Sequence, residues 1–66
     1  MEDRKDLRAL TREELEAALV SLGEKPAHAL SILKAVHRKG LTDMNALPLV
    51  PARVSRVLAP LYYISP

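Results

Sequence analysis

Two histidines, a nearby serine and three clustered acids are the residues of this chain whose types could do chemistry. His28 and His37 are nine residues apart, a spacing that turns them to opposite sides of one helix and excludes a shared metal ion. Ser31 stands three residues after His28 and could reach its imidazole. A nucleophilic serine also needs an acid that orients the histidine, and no acid follows. We therefore predict ordinary surface side chains here.

The remaining candidates for chemistry also have simpler interpretations. Glu13, Glu14 and Glu16 lie where a helix is predicted to begin, and carboxylates there complement the partial positive charge of the helix N-terminus. The two glycines are isolated, so no phosphate-binding loop is present. The chain has no cysteine, which removes disulfides and thiolate-held metals or iron–sulfur clusters. The chain alone is thus predicted to have no enzymatic activity, no cofactor and no metal.

Charge is distributed unevenly along the sequence. Residues 1–24 contain seven acids and four Lys or Arg, whereas residues 25–66 contain six Lys and Arg and the single acid Asp43. A basic half suits a polyanion, but it equally suits solubility or an acidic protein surface. The six cations form the predicted nucleic-acid-binding set: Lys25, Lys34, Arg38, Lys39, Arg53 and Arg56.

A first helix is predicted over residues 11–22. Thr11 followed by Glu14 is a capping-box pattern, in which each side chain bonds the other residue's backbone N–H. Leucines and alanines then recur at helical spacing, and Gly23 stands where a left-handed helix stop is wanted. These signals make the segment a short amphipathic helix.

Two further helices and a turn complete the predicted elements. The second helix covers residues 26–39 and begins with Pro26, whose fixed φ suits a first helical position. A single turn over residues 43–47 is predicted with Asp43 as its cap. The last helix covers residues 51–60, and an extended segment follows it.

These elements predict an all-α fold: a compact bundle of three main helices, with a helical hairpin and a short extra turn. At 66 residues the chain is expected to be one domain, residues 1–66, and a monomer. No apolar run approaches the roughly 20 residues that span a bilayer, and the first residues are charged, so we expect a soluble cytoplasmic protein. The predicted core is aliphatic: Leu10, Leu15, Leu19, Leu22, Ala29, Ile32, Leu33, Val36, Leu47, Val54, Val57 and Leu58.

The stretch LTREELEAALVSLGEKPAHALSILKAVHRKGLTDMNALP resembles the N-terminal helical domain of radical-SAM methyltransferases that methylate C2 of an adenine in 23S ribosomal RNA and, in some members, transfer RNA. The glycine turn between the first two helices carries the likeness best. The residues that match the pattern of that family, in order, are Leu22, Gly23, Glu24, Lys25, Pro26, Ala29, Ile32, Lys39, Gly40, Leu47 and Pro48.

Departures from the family pattern fall close together. An aromatic residue of the family is replaced by Ala27, an Arg by His28, a Gln by Ser31 and a Trp by Ala35. The last three are spaced at i, i+3 and i+7, on the helix side that the apolar pattern predicts to lie opposite the core. We therefore expect that one outer face has been reduced to smaller residues while the core face is retained.

The resemblance implies an accessory role in RNA recognition. The 4Fe–4S cluster and the S-adenosylmethionine of the family are bound by a barrel domain that these 66 residues do not include, so no catalytic or cofactor residue carries over. The expected partners are structured ribosomal or transfer RNA and a catalytic barrel domain. The alternative is a protein–protein or interdomain docking module, which would use the altered face and make no RNA contact.

Overall fold

Within residues 3–66, which the computed structural model describes, three α-helices and two very short strands form the fold. Two 3₁₀ turns, Leu7–Ala9 and Met44–Ala46, connect them. In chain order the helices and strands are β1 Lys5–Asp6, α1 Arg12–Ser21, α2 His28–Arg38, α3 Ala52–Leu58 and β2 Tyr62–Tyr63.

The capping box predicted for α1 is confirmed. Thr11 Oγ1 accepts a hydrogen bond from the backbone N–H of Glu14 at 3.1 Å, and Glu14 Oε1 accepts from the backbone N–H of Thr11 at 2.9 Å. At the other end Gly23 has φ of 77°. The amides of Gly23 and Glu24 bond back to the carbonyls of Val20 and Leu19, which is the paired pattern of a Schellman stop.

Removal of the Thr11 side chain is expected to destabilise the protein. Thr11→Ala leaves the Glu14 amide without its partner at the helix start and should lower the free energy of unfolding by about 0.5–2 kcal/mol. Urea unfolding followed by circular dichroism measures the change. Thr42→Ala is the matched control, because Thr42 is exposed in the loop after α2. Equal stability of the two variants would contradict the capping role.

Helix α2 begins two residues later than predicted, at His28. Pro26 lies in a preceding turn, in which the amides of His28 and Ala29 bond the carbonyls of Lys25 and Pro26. The cap residue Ala27 offers no side-chain acceptor to the first turn. Pro26 therefore directs the chain into the helix instead of occupying its first position.

The buried face of α2 is turned relative to the prediction. Ala35, assigned to the outer side with His28 and Ser31, is only 1% exposed and belongs to the core. Leu30, which the helical spacing of the apolar residues places on the core side, is instead 40% exposed. The prediction of an outer face at these positions was therefore wrong at Ala35. The reason is tertiary, since α2 packs on both α1 and the 3₁₀ turn that contains the buried Leu7.

The turn capped by Asp43 is confirmed as a 3₁₀ turn. Asp43 Oδ1 accepts from the amide of Asn45 at 2.9 Å. Helix α3 is shorter than predicted, because Pro51 stands before it as an extended cap and its last residue is Leu58. Val57, which was predicted to lie in the core, is only half-buried, and Ser55 on the same helix is buried.

A parallel strand pair corrects the all-α prediction. Lys5 pairs with Tyr62 and Asp6 with Tyr63, so the segment expected to be a plain extended exit joins the beginning of the chain. The three helices form the crossover between the two strands, consistent with the long connection that parallel pairing requires. Strands of two residues carry no alternating pattern that a sequence could reveal.

The core is one aliphatic cluster to which all the helices contribute. Of the predicted core, Leu10, Leu22 and Leu33 are only partly buried and pack against its edge. Four further residues belong to the cluster and were not predicted, namely Leu7, Ala35, Met44 and Ile64. Leu7 and Ile64 adjoin the strand pair, so their burial depends on the same long-range contact.

Asp6 holds the two ends of the described chain together. Its Oδ1 accepts from the amide of Arg8 at 3.0 Å and from the amide of Ser65 at 3.3 Å. Arg8 Nε in turn donates to the carbonyl oxygen of Ser65 at 3.0 Å. This network fastens the segment after β2 to the start of the first 3₁₀ turn.

Acid is expected to weaken this junction. Hydrogen bonding by the Ser65 side chain, with the amides of Arg8 and Ser65 and the charge of Arg8, holds the pKa of Asp6 below its ordinary value of 3.8. A carboxylate whose pKa is lowered by folding stabilises the protein above its unfolded pKa and ceases to do so as pH falls through its folded pKa. The melting temperature should therefore drop below about pH 4.

Asp6→Asn tests this pH dependence, because the amide keeps a similar shape and an acceptor oxygen but does not titrate. Its melting temperature should fall less in acid than that of the parent chain. A residual fall is expected from Glu14, whose pKa is also lowered, by its hydrogen bonds with Thr11. Identical acid profiles in thermal circular-dichroism melts would show that Asp6 does not contribute.

Candidate nucleic-acid interface

Three of the six predicted cations line one groove on the outer side of α2. The lining residues come from two adjacent rows of α2, each spaced at i, i+4 and i+8, and from the loop before α3. We name this feature the α2 groove; it encloses about 250 Å³ and is lined by Leu30, Ser31, Lys34, Ala35, Arg38, Lys39, Pro48 and Leu49.

The charge of the α2 groove is entirely positive. Lys34 and Arg38 are exposed and one helical turn apart, an arrangement of like charges that costs a helix about 0.2–0.5 kcal/mol. Lys39 caps the C-terminal end of α2, where a cation is favoured by the helix dipole. None of the residues that line the groove is acidic. These three cations, which we call the rim of the groove, are therefore suited to bind an anionic group.

The other three predicted cations lie apart from this rim. Arg53 Nε is 3.2 Å from Glu24 Oε1, and the Glu24 side chain is only 9% exposed against 62% for Arg53. This ion pair links the start of α3 to the turn after α1, so Arg53 has a structural role. Lys25, next to Glu24, is exposed. Arg56, also exposed, follows Arg53 by three residues on α3.

The three arginines of the acidic half are engaged in intramolecular contacts. Arg4 lies 5.9 Å from the ring centre of Tyr63 and donates to the carbonyl of Ala59 at 3.5 Å. Arg12 Nε pairs with Glu16 at 3.2 Å. Arg8, as described above, holds Ser65. By contrast, no ion pair within residues 3–66 involves Lys34, Arg38 or Lys39.

Leu49 is a feature of the groove that the sequence analysis missed. It is 89% exposed and has φ of 59°, a left-handed conformation that a residue with a branched side chain rarely adopts. Such strain costs about 1–3 kcal/mol and is concentrated at functional sites. The prolines at positions 48 and 51 mark a constrained loop in the sequence, but they do not reveal the sign of φ at Leu49.

No metal or membrane site emerges from the described part of the chain. Across residues 3–66, no three His, Cys, Asp or Glu side chains are grouped closely enough to hold a metal ion. His28 is half-buried and His37 is exposed. Nor does any helix in this range have the length and apolar character needed to cross a membrane.

Comparison with known proteins relates this small, mostly helical chain with a basic groove to RNA methyltransferases. The chain is 34% identical over 62 residues to the dual-specificity RNA methyltransferase RlmN of Gluconobacter oxydans (strain 621H). The aligned residues cover 94% of this chain and 15% of that protein. The RlmN of Acidiphilium cryptum (strain JF-5) is 41% identical over 44 residues, 67% of this chain and 11% of its own length.

A third relative gives the same result. The RlmN of Francisella tularensis subsp. novicida (strain U112) is 35% identical over 46 residues, which cover 70% of this chain and 12% of that protein. No model of a known protein family and no solved structure matches the chain. The chain is thus related to a segment of dual-specificity RNA methyltransferases, and it spans about 15% or less of the length of these relatives.

Proposed function

We propose that this chain is a non-catalytic accessory domain of a radical-SAM RNA (adenine-C2) methyltransferase-like protein and that it helps to bind structured RNA through the α2 groove. The observation that carries the proposal is the grouping of Lys34, Arg38 and Lys39 on one rim that has no acid. The relatives, which are RNA methyltransferases by name, support RNA as the anion.

Recognition of this kind depends on charge and shape. Arg38 offers a planar fork of donors that can grip one phosphate with two hydrogen bonds, whereas Lys34 and Lys39 act as mobile point charges. The two tyrosines are half-buried in β2, so the groove has no aromatic ring on which a base could stack. The domain therefore binds the phosphate backbone of folded RNA and leaves the reading of bases to other parts of the protein.

The predicted cations outside the groove also contact RNA in this proposal. Lys25 and Arg56 add phosphate contacts beyond the rim, and Arg53 contributes only its outer face because Glu24 occupies its Nε. Methyl transfer, the 4Fe–4S cluster and S-adenosylmethionine belong to a catalytic barrel domain, with which this domain acts in the cytoplasm. The domain itself is a monomer that positions RNA.

The salt dependence of RNA binding tests the proposal directly. Each phosphate neutralised on a duplex contributes about −0.9 to the slope of log K against log salt, so three groove cations predict a slope of about −3 for a ribosomal RNA hairpin. Fluorescence anisotropy at several potassium chloride concentrations measures it. A slope near zero, or no binding at low salt, would reject RNA recognition by this basic surface.

A further inference from the structure

The apolar part of the α2 groove, which we call its floor, includes two leucines that are open to solvent. Leu49 is 89% exposed and Leu30 is 40% exposed, and both line the groove together with Pro48 and Ala35. Single exposed leucines are common on protein surfaces, but two that share a concave site form a patch of the kind that partners cover. Contact with phosphates alone requires no such floor.

The conformation of Leu49 makes its exposure harder to explain by folding alone. Glycine would adopt φ of 59° without strain, and a polar side chain would suit a site so open to water. The chain instead places a large apolar side chain there in a strained backbone conformation. Pro48 begins the turn that gives Leu49 its positive φ, and the exposed apolar side chain in this turn makes Leu49 a candidate contact residue.

The cations of the rim determine which charge an occupant of the groove should carry. Lys34 and Arg38 follow Leu30 along the same row of α2, and Lys39 follows Ala35 along the next row. An occupant with an apolar group on the floor therefore has three cations within reach of its flanks and no acid among the lining residues. Carboxylates beside the apolar group complement this arrangement.

The size of the groove further defines the occupant. Its volume of about 250 Å³ is below the roughly 300–1,000 Å³ of sites that enclose drug-sized ligands. It suits one or two apolar side chains of a polypeptide. RNA contacts the cations of the groove rather than its apolar part, because riboses and phosphates are polar and no aromatic ring lines the groove for a base to stack on.

We infer that the α2 groove docks an acidic polypeptide segment, in which an aliphatic or aromatic side chain enters between Leu30 and Leu49 while flanking Asp or Glu residues pair with Lys34 and Arg38. This function goes beyond RNA binding, since it needs the apolar floor as well as the charge. Leu49 is then the anchor of the interface, and the rim selects acidic partners over basic ones.

A selection from a library of displayed short random peptides tests the inference. We expect the enriched peptides to contain an apolar residue flanked by acids.

The best of the enriched peptides, labelled with fluorescein, should bind the parent chain, and Leu49→Gly should weaken that binding by about tenfold or more. Leu49→Gly relieves backbone strain, so its melting temperature should not fall. Val20→Ala, at a residue 60% exposed on α1, controls for loss of any exposed aliphatic group and should bind normally.

Two further variants separate this function from RNA binding. Arg56→Glu, which lies outside the groove, should weaken RNA binding and leave peptide binding unchanged, whereas Arg38→Glu should weaken the binding of both ligands. No enrichment, enriched peptides without acids, or peptide binding that Leu49→Gly leaves intact would overturn the inference.

Discussion

Leu19→Ala should lower the free energy of unfolding by about 2–5 kcal/mol, the range for truncation of a buried leucine. Leu19 is fully buried on α1 and belongs to the aliphatic core, so the substitution removes apolar contacts and leaves a cavity. A chain of 66 residues has a total stability of about 3–10 kcal/mol at 0.05–0.15 kcal/mol per residue. The substitution therefore removes a large part of the stability of the domain.

Val20→Ala provides the matched comparison, because Val20 is the next residue on the same helix and is 60% exposed. It should change the free energy of unfolding by no more than about 0.5 kcal/mol, as surface substitutions usually do. Urea titrations of both variants by circular dichroism measure the difference. Similar midpoints for Leu19→Ala and Val20→Ala would show that α1 does not pack through Leu19.

Local signals explain why α1 could be predicted closely. Its start depends on Thr11 and Glu14, which are three residues apart, and its end depends on Gly23. The leucines between them recur at helical spacing, and Leu15 and Leu19 are buried as expected. Each of these interactions closes within a few residues, so the sequence contains all the information that determines them.

The buried side of α2 shows where local patterns become insufficient. The helical spacing of apolar residues offers a wide arc that includes both Leu30 and Leu33, and the small Ala35 adds little to the pattern. Tertiary packing, which brings α2 against α1 and the 3₁₀ turn at Leu7–Ala9, decides which side is buried. Ala35 lies in the core, and Leu30 is exposed and lines the α2 groove.

The candidate site was predictable in its residue types but not in its grouping. The excess of cations after residue 24 is visible in the sequence, and the spacing of Lys34 and Arg38 places them on one side of a helix. Two features depend on how the loop before α3 folds back. One is the ion pair between Arg53 and Glu24, and the other is the position of Leu49 beside α2. Contacts between distant segments decide both, and no local pattern encodes them.

Arg38→Glu should weaken binding of a ribosomal RNA hairpin by on the order of tenfold at low salt and should reduce the salt slope by about 1, as expected for loss of one phosphate contact. The neutral variant Arg38→Gln should have an intermediate affinity, because it removes the attraction without adding repulsion. Fluorescence anisotropy at low and high potassium chloride measures both quantities, and circular dichroism checks that α2 remains helical.

Arg12→Glu is the matched reversal, since Arg12 is an exposed helical arginine in the acidic half that forms a surface ion pair with Glu16. Exposed pairs of this kind contribute at most about 1 kcal/mol, so the fold should tolerate the change. Both reversals alter the net charge equally, and any effect of total charge must therefore appear in both. A greater loss in Arg38→Glu would assign RNA binding to the α2 groove, whereas equal losses would mean that RNA responds only to the overall charge of the domain.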